Sequence, residues 1–169
     1  IIDEEINSDN FTYMAYKEVS IGEVKARLFR ISFSGEHAYE IAVPSRFGES
    51  MFKHLKSSAE NLGGGLYGME ALNVLRIEKG FITHAEIDGR ITAFDLGMQK
   101  MMSSKKDFIG KTAALRPGLI DQDRDQLVGL IPVTAEDKLF AGSYFFDIDA
   151  SAVRVAQQGY STSVAYSPE

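Results

Sequence analysis

Glu40 is the residue best placed for chemistry, because its carboxylate interrupts the apolar run Ala38-Tyr-Glu-Ile-Ala42. A charge within such a run is unfavourable unless its face of the strand is solvated, paired or occupied by a ligand. A strand carboxylate can accept two N–H donors at once, which suits an aminopyrimidine or amide edge. Three explanations stay open at this point: a ligand contact, a solvated face, or an ion pair with Arg30.

Other reactive groups give weaker signals. The histidines at 37, 54 and 84 stand at no metal-ligand spacing, so the sequence predicts no metal site. Gly63-Gly-Gly65 is followed by no Lys-Ser or Lys-Thr pair, and it is better explained as the end of a helix. With no cysteine and no Gly-x-Ser-x-Gly run, nothing supports nucleophilic hydrolysis.

Glu40 is positioned by a predicted hairpin, in which apolar and polar side chains alternate on both sides of a turn at Gly35. The apolar members are Phe29, Ile31 and Phe33 before the turn and Tyr39, Ile41 and Val43 after it. A period of two predicts half-buried strands, the first running from Val24 to Phe33, and Gly35 is suited to a positive φ. If the apolar sets share one face, Arg30, Ser32 and Glu40 project from the other.

Two helices are predicted after the hairpin. The first starts at Ser45, whose hydroxyl is suited to cap it, and ends at Gly63. The second spans about Met69 to Lys79, and Gly80 stops it. Its inward residues are predicted to be Ala71, Leu72, Val74 and Leu75, with Glu70, Asn73 and Arg76 on the polar side.

Beyond the polar run Asp121–Asp125, the pattern changes to short strands separated by turns. They are predicted at Gln126–Pro132, Tyr144–Ile148, Ala152–Val155 and Tyr160–Tyr166. The predicted fold is α+β: an antiparallel sheet with two packed helices, followed by the start of a β-barrel-like domain. The domain limits are predicted at 1–122 and 123–169, with the second domain truncated because its strands are too few to close a barrel.

Composition narrows the class of protein. The 169 residues carry 18 Lys plus Arg and 24 Asp plus Glu, and this net charge of −6 disfavours nucleic acid as a partner. No apolar run approaches the roughly 20 residues of a membrane helix, and the first residues lack the features of a signal peptide. The absence of cysteine fits a reducing compartment, so we expect a cytoplasmic protein without membrane contact.

The motifs together resemble a known family. Arg30-x-Ser-Phe-Ser-Gly-Glu-x-x-Tyr-Glu-Ile-x-Val-Pro44 resembles the folate-binding fold of the glycine cleavage T-protein (aminomethyltransferase) superfamily. Later motifs keep the order found in one branch, the alpha subunits of heterotetrameric sarcosine oxidases. They are Gly68-Met-Glu-Ala71, Leu75-Arg-Ile-Glu-Lys-Gly80, Asp88-Gly89, Asp95-Leu-Gly97 and Lys106-Asp-Phe-Ile-Gly-Lys111. Leu127–Leu130 and Gln158–Ser163 are similar to the opening of the superfamily's C-terminal barrel domain.

The resemblance implies a folate site at Glu40, Phe33 and Tyr39. The family's glutamate in the Tyr-Glu-Ile motif hydrogen-bonds the pterin, and by motif position it is Glu40. Phe33 stands where the family commonly has a pocket tyrosine, so a hydroxyl contact is lost. Leu72 occupies the position of a T-protein arginine that contacts folate, which favours the oxidase branch. The family's catalytic aspartate lies upstream of these motifs, so no catalytic residue is assigned.

The implied function is capture of the one-carbon unit from sarcosine oxidation by tetrahydrofolate, giving 5,10-methylenetetrahydrofolate. FAD, FMN and NAD are expected only in the full complex, and the expected partners are tetrahydrofolate and the other oxidase subunits. The fragment alone is expected to be inactive. Two alternatives stay open: a folate-dependent transferase that needs no flavin, and a non-catalytic scaffold module of an oxidase complex.

Overall fold

A computed structural model describes residues 1–134, 136–148 and 157–168. These residues form two compact units, Ile1–Phe81 (unit 1) and Ile82–Pro168 (unit 2). The boundary near residue 122 inferred from the sequence stays a prediction about domain organisation. No helix in the described ranges is long and apolar enough to cross a membrane.

Unit 1 combines one small antiparallel sheet with two helices, in the strand order β1-β2-β3. Its elements are β1 Tyr16–Ile21, β2 Val24–Phe29, β3 Glu40–Ala42, α1 Gly48–Asn61 and α2 Met69–Lys79. Val19 pairs with Ala26, and Leu28 pairs with Ile41. Directly opposite residues share a face of an antiparallel sheet, so these pairs define the core face. Phe11 and Met51 complete the buried cluster there.

The hairpin differs from the prediction in length. Strand β2 ends at Phe29 instead of Phe33, and a ten-residue connection separates it from β3. The backbone of Arg30 continues the pairing on the β1 side of β2, since its N–H donates to Ala15 O and its carbonyl accepts from Met14 N. On the other side, pairing with β3 stops at Phe29 and Glu40. The positive φ predicted for Gly35 is confirmed at 84°.

The predicted faces of the hairpin are also wrong. The register places Phe29 opposite Glu40, so Phe29 shares a face with the carboxylate and not with Leu28 and Ile41. We call this face, opposite the core, the outer face of the sheet. A shift of pairing by one residue moves every side chain of a strand to the other face, and the two alternations alone do not determine that register.

The helices follow the prediction closely, with three corrections, the first being that Ala71, predicted to face inward, is exposed. Helix α2 spans Met69–Lys79 as predicted, and Gly80 ends it with a φ of 79°. A short 3₁₀ turn at Ser45–Phe47 precedes α1, and the Ser45 hydroxyl does not cap it. Arg76 is buried, contrary to its predicted place on the polar side of α2. Its Nε donates to Asn73 Oδ1 at 2.9 Å and its Nη1 to Phe81 O at 3.1 Å, and these bonds offset the cost of burial.

Unit 2 contains little regular structure. Its elements are α3 Lys111–Ala114, β4 Tyr144–Phe145 and β5 Gly159–Tyr160, with β4 and β5 antiparallel. The strand predicted at Gln126–Pro132 is not formed, because Leu127 N donates to Asp95 O and the neighbouring apolar side chains stay exposed. The strand predicted at Ala152–Val155 lies outside the described residues. The α+β class is thus confirmed for these small sheets and helices, while the start of a barrel is not.

Candidate functional site

The three predicted site residues lie in or beside the connection Arg30–Tyr39, which we call the β2–β3 loop. Phe33 and Tyr39 belong to this loop, and Glu40 begins β3. The backbone bonds of Arg30 fix the loop at one end, and the pairing of Glu40 with Phe29 fixes it at the other. The loop therefore presents its side chains from the end of the sheet where β2 stops and β3 begins.

Glu40 lies exposed on the outer face of the sheet. Its cross-strand neighbour is Phe29, whose ring lies 5.2 Å from that of Tyr16. Among the described residues, no side chain donates a hydrogen bond to the Glu40 carboxylate, and the ion pair with Arg30 considered from the sequence is not formed. Both carboxylate oxygens are thus available to an external donor next to an aromatic surface.

Phe33 lies within the loop instead of in a strand. Its ring is 41% exposed and stacks on Phe81, the residue that ends unit 1, with centroids 6.3 Å apart. A half-exposed ring held on a second ring offers a flat apolar surface. The pocket position inferred for Phe33 is therefore accessible, although the predicted strand alternation that placed it on the core face was wrong.

Tyr39 lies on the opposite side of the chain from Glu40 and does not share a surface with it. Its ring stacks on the core residue Phe11, with centroids 6.2 Å apart and planes 13° apart. Its hydroxyl lies 2.8 Å from His37 Nε2, and the Arg30 guanidinium lies over its ring at 5.3 Å. Successive residues of an extended chain point to opposite sides. Tyr39 thus belongs to an Arg30–His37–Tyr39 cluster on the core side, while Glu40 faces outward.

A recess in unit 1 is lined by none of the three predicted site residues. It measures about 670 Å³ and is lined by Glu18, Arg27, Ala42 and Pro44 among others, but not by Glu40, Phe33 or Tyr39. None of the three predicted site residues therefore lies in this recess.

Gly35 anchors the β2–β3 loop on helix α2. A Cβ added to Gly35 would lie 2.6 Å from Lys79 Cγ and 2.8 Å from Lys79 Cβ. Ser34, next to it, is buried, and its hydroxyl accepts a hydrogen bond from Glu36 N. The loop is held in place by close backbone approach as well as by its ends.

Replacing Gly35 by alanine is expected to destabilise unit 1 by about 2–3 kcal/mol, of which about 1 kcal/mol reflects the left-handed backbone. Gly22→Ala is the matched control, since Gly22 has a φ of 57° but nothing within 4 Å of an added Cβ. Urea unfolding of both variants measures the difference. Equal losses would show that contact with Lys79 adds nothing.

Unit 2 holds two buried carboxylates to which the sequence analysis gave no role, although one of them, Asp95, belongs to the motif Asp95-Leu-Gly97. Asp95 is 3% exposed, and Arg124 donates to it through Nε at 2.8 Å and Nη2 at 2.7 Å. Thr92 N donates to the same carboxylate at 2.8 Å. The hydrogen bonds from Arg124 outweigh burial, and with those from Thr92 they lower the pKa of Asp95 to about 2. The polar run Asp121–Asp125 is therefore anchored by Arg124.

Glu86, the second carboxylate, is 6% exposed. It accepts hydrogen bonds from the hydroxyl of Ser163 and from Thr83 N and Oγ1. Burial alone raises the pKa of Glu86, but the bonds from Ser163, Thr83 and Thr162 outweigh it and lower the pKa to about 2. Both carboxylates are ionised and satisfied at neutral pH, which suits a structural role within unit 2.

Comparison with protein families identifies the fold. The model of the GCVT N-terminal domain matches residues 1–106, which include the sheet, both long helices and the β2–β3 loop. The chain belongs to the GCVT N-terminal domain family. The resemblance to this superfamily inferred from the motifs is thereby confirmed.

Individual relatives of this GCVT-family chain include sarcosine oxidase alpha subunits. One from Rhizobium meliloti (strain 1021) is 47% identical over 171 residues, covering 99% of this chain and 17% of the relative. Another, from Corynebacterium sp. (strain U-96), is 35% identical over 168 residues, covering 97% of this chain and 17% of the relative. An aminomethyltransferase from Thermotoga sp. (strain RQ2) is 22% identical over 156 residues, covering 92% of this chain and 37% of the relative. The chain thus spans about a sixth of the length of the oxidase subunits that it matches.

Proposed function

We propose that the β2–β3 loop and the start of β3 form one wall of a tetrahydrofolate site, in which Glu40 holds the pterin. The observation that carries this proposal is the Glu40 carboxylate, exposed at a strand terminus with no described partner. Membership of the GCVT family supports it, because the family includes aminomethyltransferases.

The chemistry of the residues fits folate. The aminopyrimidinone edge of a pterin presents two adjacent N–H donors, and an ionised carboxylate accepts both. Phe33 supplies a half-exposed ring suited to an aromatic ligand. Tyr39 acts from the core side, by holding the loop through Phe11 and His37. Tetrahydrofolate, when bound, supplies the nitrogen nucleophiles that accept a one-carbon unit.

The parent protein, in this proposal, is a cytoplasmic sarcosine oxidase alpha subunit. Oxidation of the amine takes place outside these residues, and FAD, FMN and NAD belong to the full complex. The carbon released from sarcosine is transferred to tetrahydrofolate, giving 5,10-methylenetetrahydrofolate and glycine. The contribution of this chain is to hold the acceptor close to the reactive carbon, since proximity replaces a bimolecular encounter.

Glu40→Gln in the full-length protein is expected to weaken tetrahydrofolate binding by roughly 10- to 100-fold. Glutamine keeps the size of the side chain but replaces one acceptor by a donor and removes the charge, which costs about 1.5–3 kcal/mol. Equilibrium titration measures the affinity, and sarcosine-dependent formation of hydrogen peroxide is expected to persist.

Glu36→Gln is the matched control, because it removes the same charge from an exposed carboxylate of the same loop. It is expected to leave the affinity unchanged. Equal weakening by both substitutions would assign the effect to general electrostatics and refute a specific contact at Glu40.

The same full-length preparation distinguishes the proposed function from the two alternatives, a flavin-free transferase and a scaffold module. A flavin-loaded full-length protein excludes a transferase that needs no flavin. A scaffold module would show no saturable binding of tetrahydrofolate by the wild-type protein.

A further inference from the structure

We propose that Arg30 forms a carboxylate-binding subsite at the end of the sheet where β2 stops and β3 begins. The inference deepens the proposed function and rests on it for the origin of the carboxylate. The site is defined by the Arg30–His37–Tyr39 cluster, which no step of the proposed function uses for ligand contact.

One edge of the Arg30 guanidinium is occupied and the other is open. Nε lies 3.1 Å from His37 Nε2, and Nη2 lies 3.0 Å from His37 Nδ1, so this edge faces the imidazole ring. The end formed by Nη1 and Nη2 has no partner among the described residues. Two parallel N–H groups on that end match the two oxygens of a carboxylate.

The charge of Arg30 is not compensated within the described part of the chain. Arg124 and Arg90 each pair with a carboxylate, at 2.7 Å from Asp95 and 2.6 Å from Asp88. Arg30 presents the same Nε–Nη2 edge as Arg124 does, but to the imidazole ring of His37 instead of a carboxylate. A partly exposed guanidinium oriented in this way retains a full positive charge for an external anion.

The orientation of Arg30 is fixed before any ligand arrives. Its guanidinium stacks over the Tyr39 ring, whose hydroxyl lies 2.8 Å from the same His37. Its backbone is bonded on both sides, to Ala15 and Met14. A side chain held by packing and hydrogen bonds loses less entropy when it binds, which strengthens recognition.

Two carboxylates are available in the proposed reaction. One is on the glutamyl tail of tetrahydrofolate, and the other belongs to the amino acid, which reaches this site as the imine formed by oxidation of sarcosine and leaves it as glycine. Both offer the same planar oxygen pair to Arg30, and they differ in which ligand loses affinity when Arg30 is changed.

The test uses the full-length protein carrying Arg30→Gln or Arg30→Lys. Lysine keeps the positive charge but lacks the two parallel N–H donors of the guanidinium. The probes are tetrahydrofolate, 6-methyltetrahydropterin, which has the pterin but no carboxylate, and glycine. Arg46→Gln is the control, since Arg46 also lies over an aromatic ring, that of Phe47 at 4.7 Å, but outside the loop. If Arg30→Gln does not fold, Arg30→Lys carries the test with a smaller loss in the same direction.

If the folate tail is bound, Arg30→Gln weakens tetrahydrofolate about 10-fold or more and leaves 6-methyltetrahydropterin unchanged. If the amino acid is bound, Arg30→Gln weakens the binding of glycine by a similar factor while tetrahydrofolate affinity is kept. Either result supports the subsite.

Equal weakening of both pterins would show that Arg30 acts only through the shape of the loop. Unchanged affinity for every ligand would equally overturn the subsite. A wild-type protein that binds neither pterin refutes the folate proposal instead, and the glycine measurement then decides on Arg30 alone.

Discussion

Replacing Arg124 by methionine is expected to destabilise unit 2 by about 3 kcal/mol. Methionine keeps the apolar stem but leaves the Asp95 carboxylate buried without its two charged hydrogen bonds. Removing one partner of a buried ion pair costs about 3–5 kcal/mol, because the remaining charge is uncompensated. The lower end applies here, since the Arg124 side chain is 25% exposed.

The double variant Asp95→Asn with Arg124→Met separates the cost of an uncompensated buried carboxylate from the loss of the hydrogen bonds that Arg124 makes. It is expected to be more stable than Arg124→Met alone, because no buried charge remains and the asparagine oxygen still accepts from Thr92 N. Urea unfolding measures both, and amide exchange at Leu127, whose N–H donates to Asp95 O, reports the local effect. A single variant within about 0.5 kcal/mol of wild type would contradict a stabilising role for the pair.

Acidification is expected to destabilise unit 2 through both of its buried carboxylates. The pKa values of Asp95 and Glu86 are lowered to about 2 from ordinary values of 3.8 and 4.5. A lowered pKa gives stability that is fully present above the unfolded value and is lost as the pH falls through the folded value. The loss therefore runs from about pH 4.5 to below pH 2, and it is worth about 2–3 kcal/mol for each carboxylate.

Glu86→Gln tests this acid dependence. The variant is expected to be less stable at pH 7, because an amide group replaces one of the oxygens that accept from Ser163 and Thr83, and to lose less stability on acidification than wild type. Glu78→Gln, at an exposed carboxylate near the end of α2, is the control and is expected to leave the pH profile unchanged. A wild-type free energy of unfolding that stays constant between pH 5 and 2 would contradict the role of both carboxylates.

Local signals in the sequence predicted the helices well. The apolar stripe and the glycine stop determine α2 from Met69 to Lys79, because both act within a few residues along the chain. The hairpin was predicted less well, since the alternation through Ile31 and Phe33 is typical of a strand although Phe33 stacks on the distant Phe81. The face on which Glu40 lies depends on the register with β2, which strand alternation does not determine.

The buried charges were beyond sequence reasoning for a related reason. Asp, Glu and Arg are usually exposed, and they are buried only where partners satisfy them. The partner of Asp95 lies 29 residues away, at Arg124, and that of Glu86 lies 77 residues away, at Ser163. For the candidate site, the motifs identified Glu40 and the loop around it, while the Arg30–His37–Tyr39 cluster emerged only from the structure.

The most direct test of the account is a double-mutant cycle between Glu40 and the 2-amino group of the pterin. Tetrahydrofolate and its 2-desamino analogue are titrated into the full-length wild-type protein and into Glu40→Gln. If Glu40 binds this edge, removal of the amino group weakens binding to wild type by roughly 10-fold or more but has little effect on the variant. The same loss of affinity in both proteins would contradict a hydrogen bond between Glu40 and the pterin.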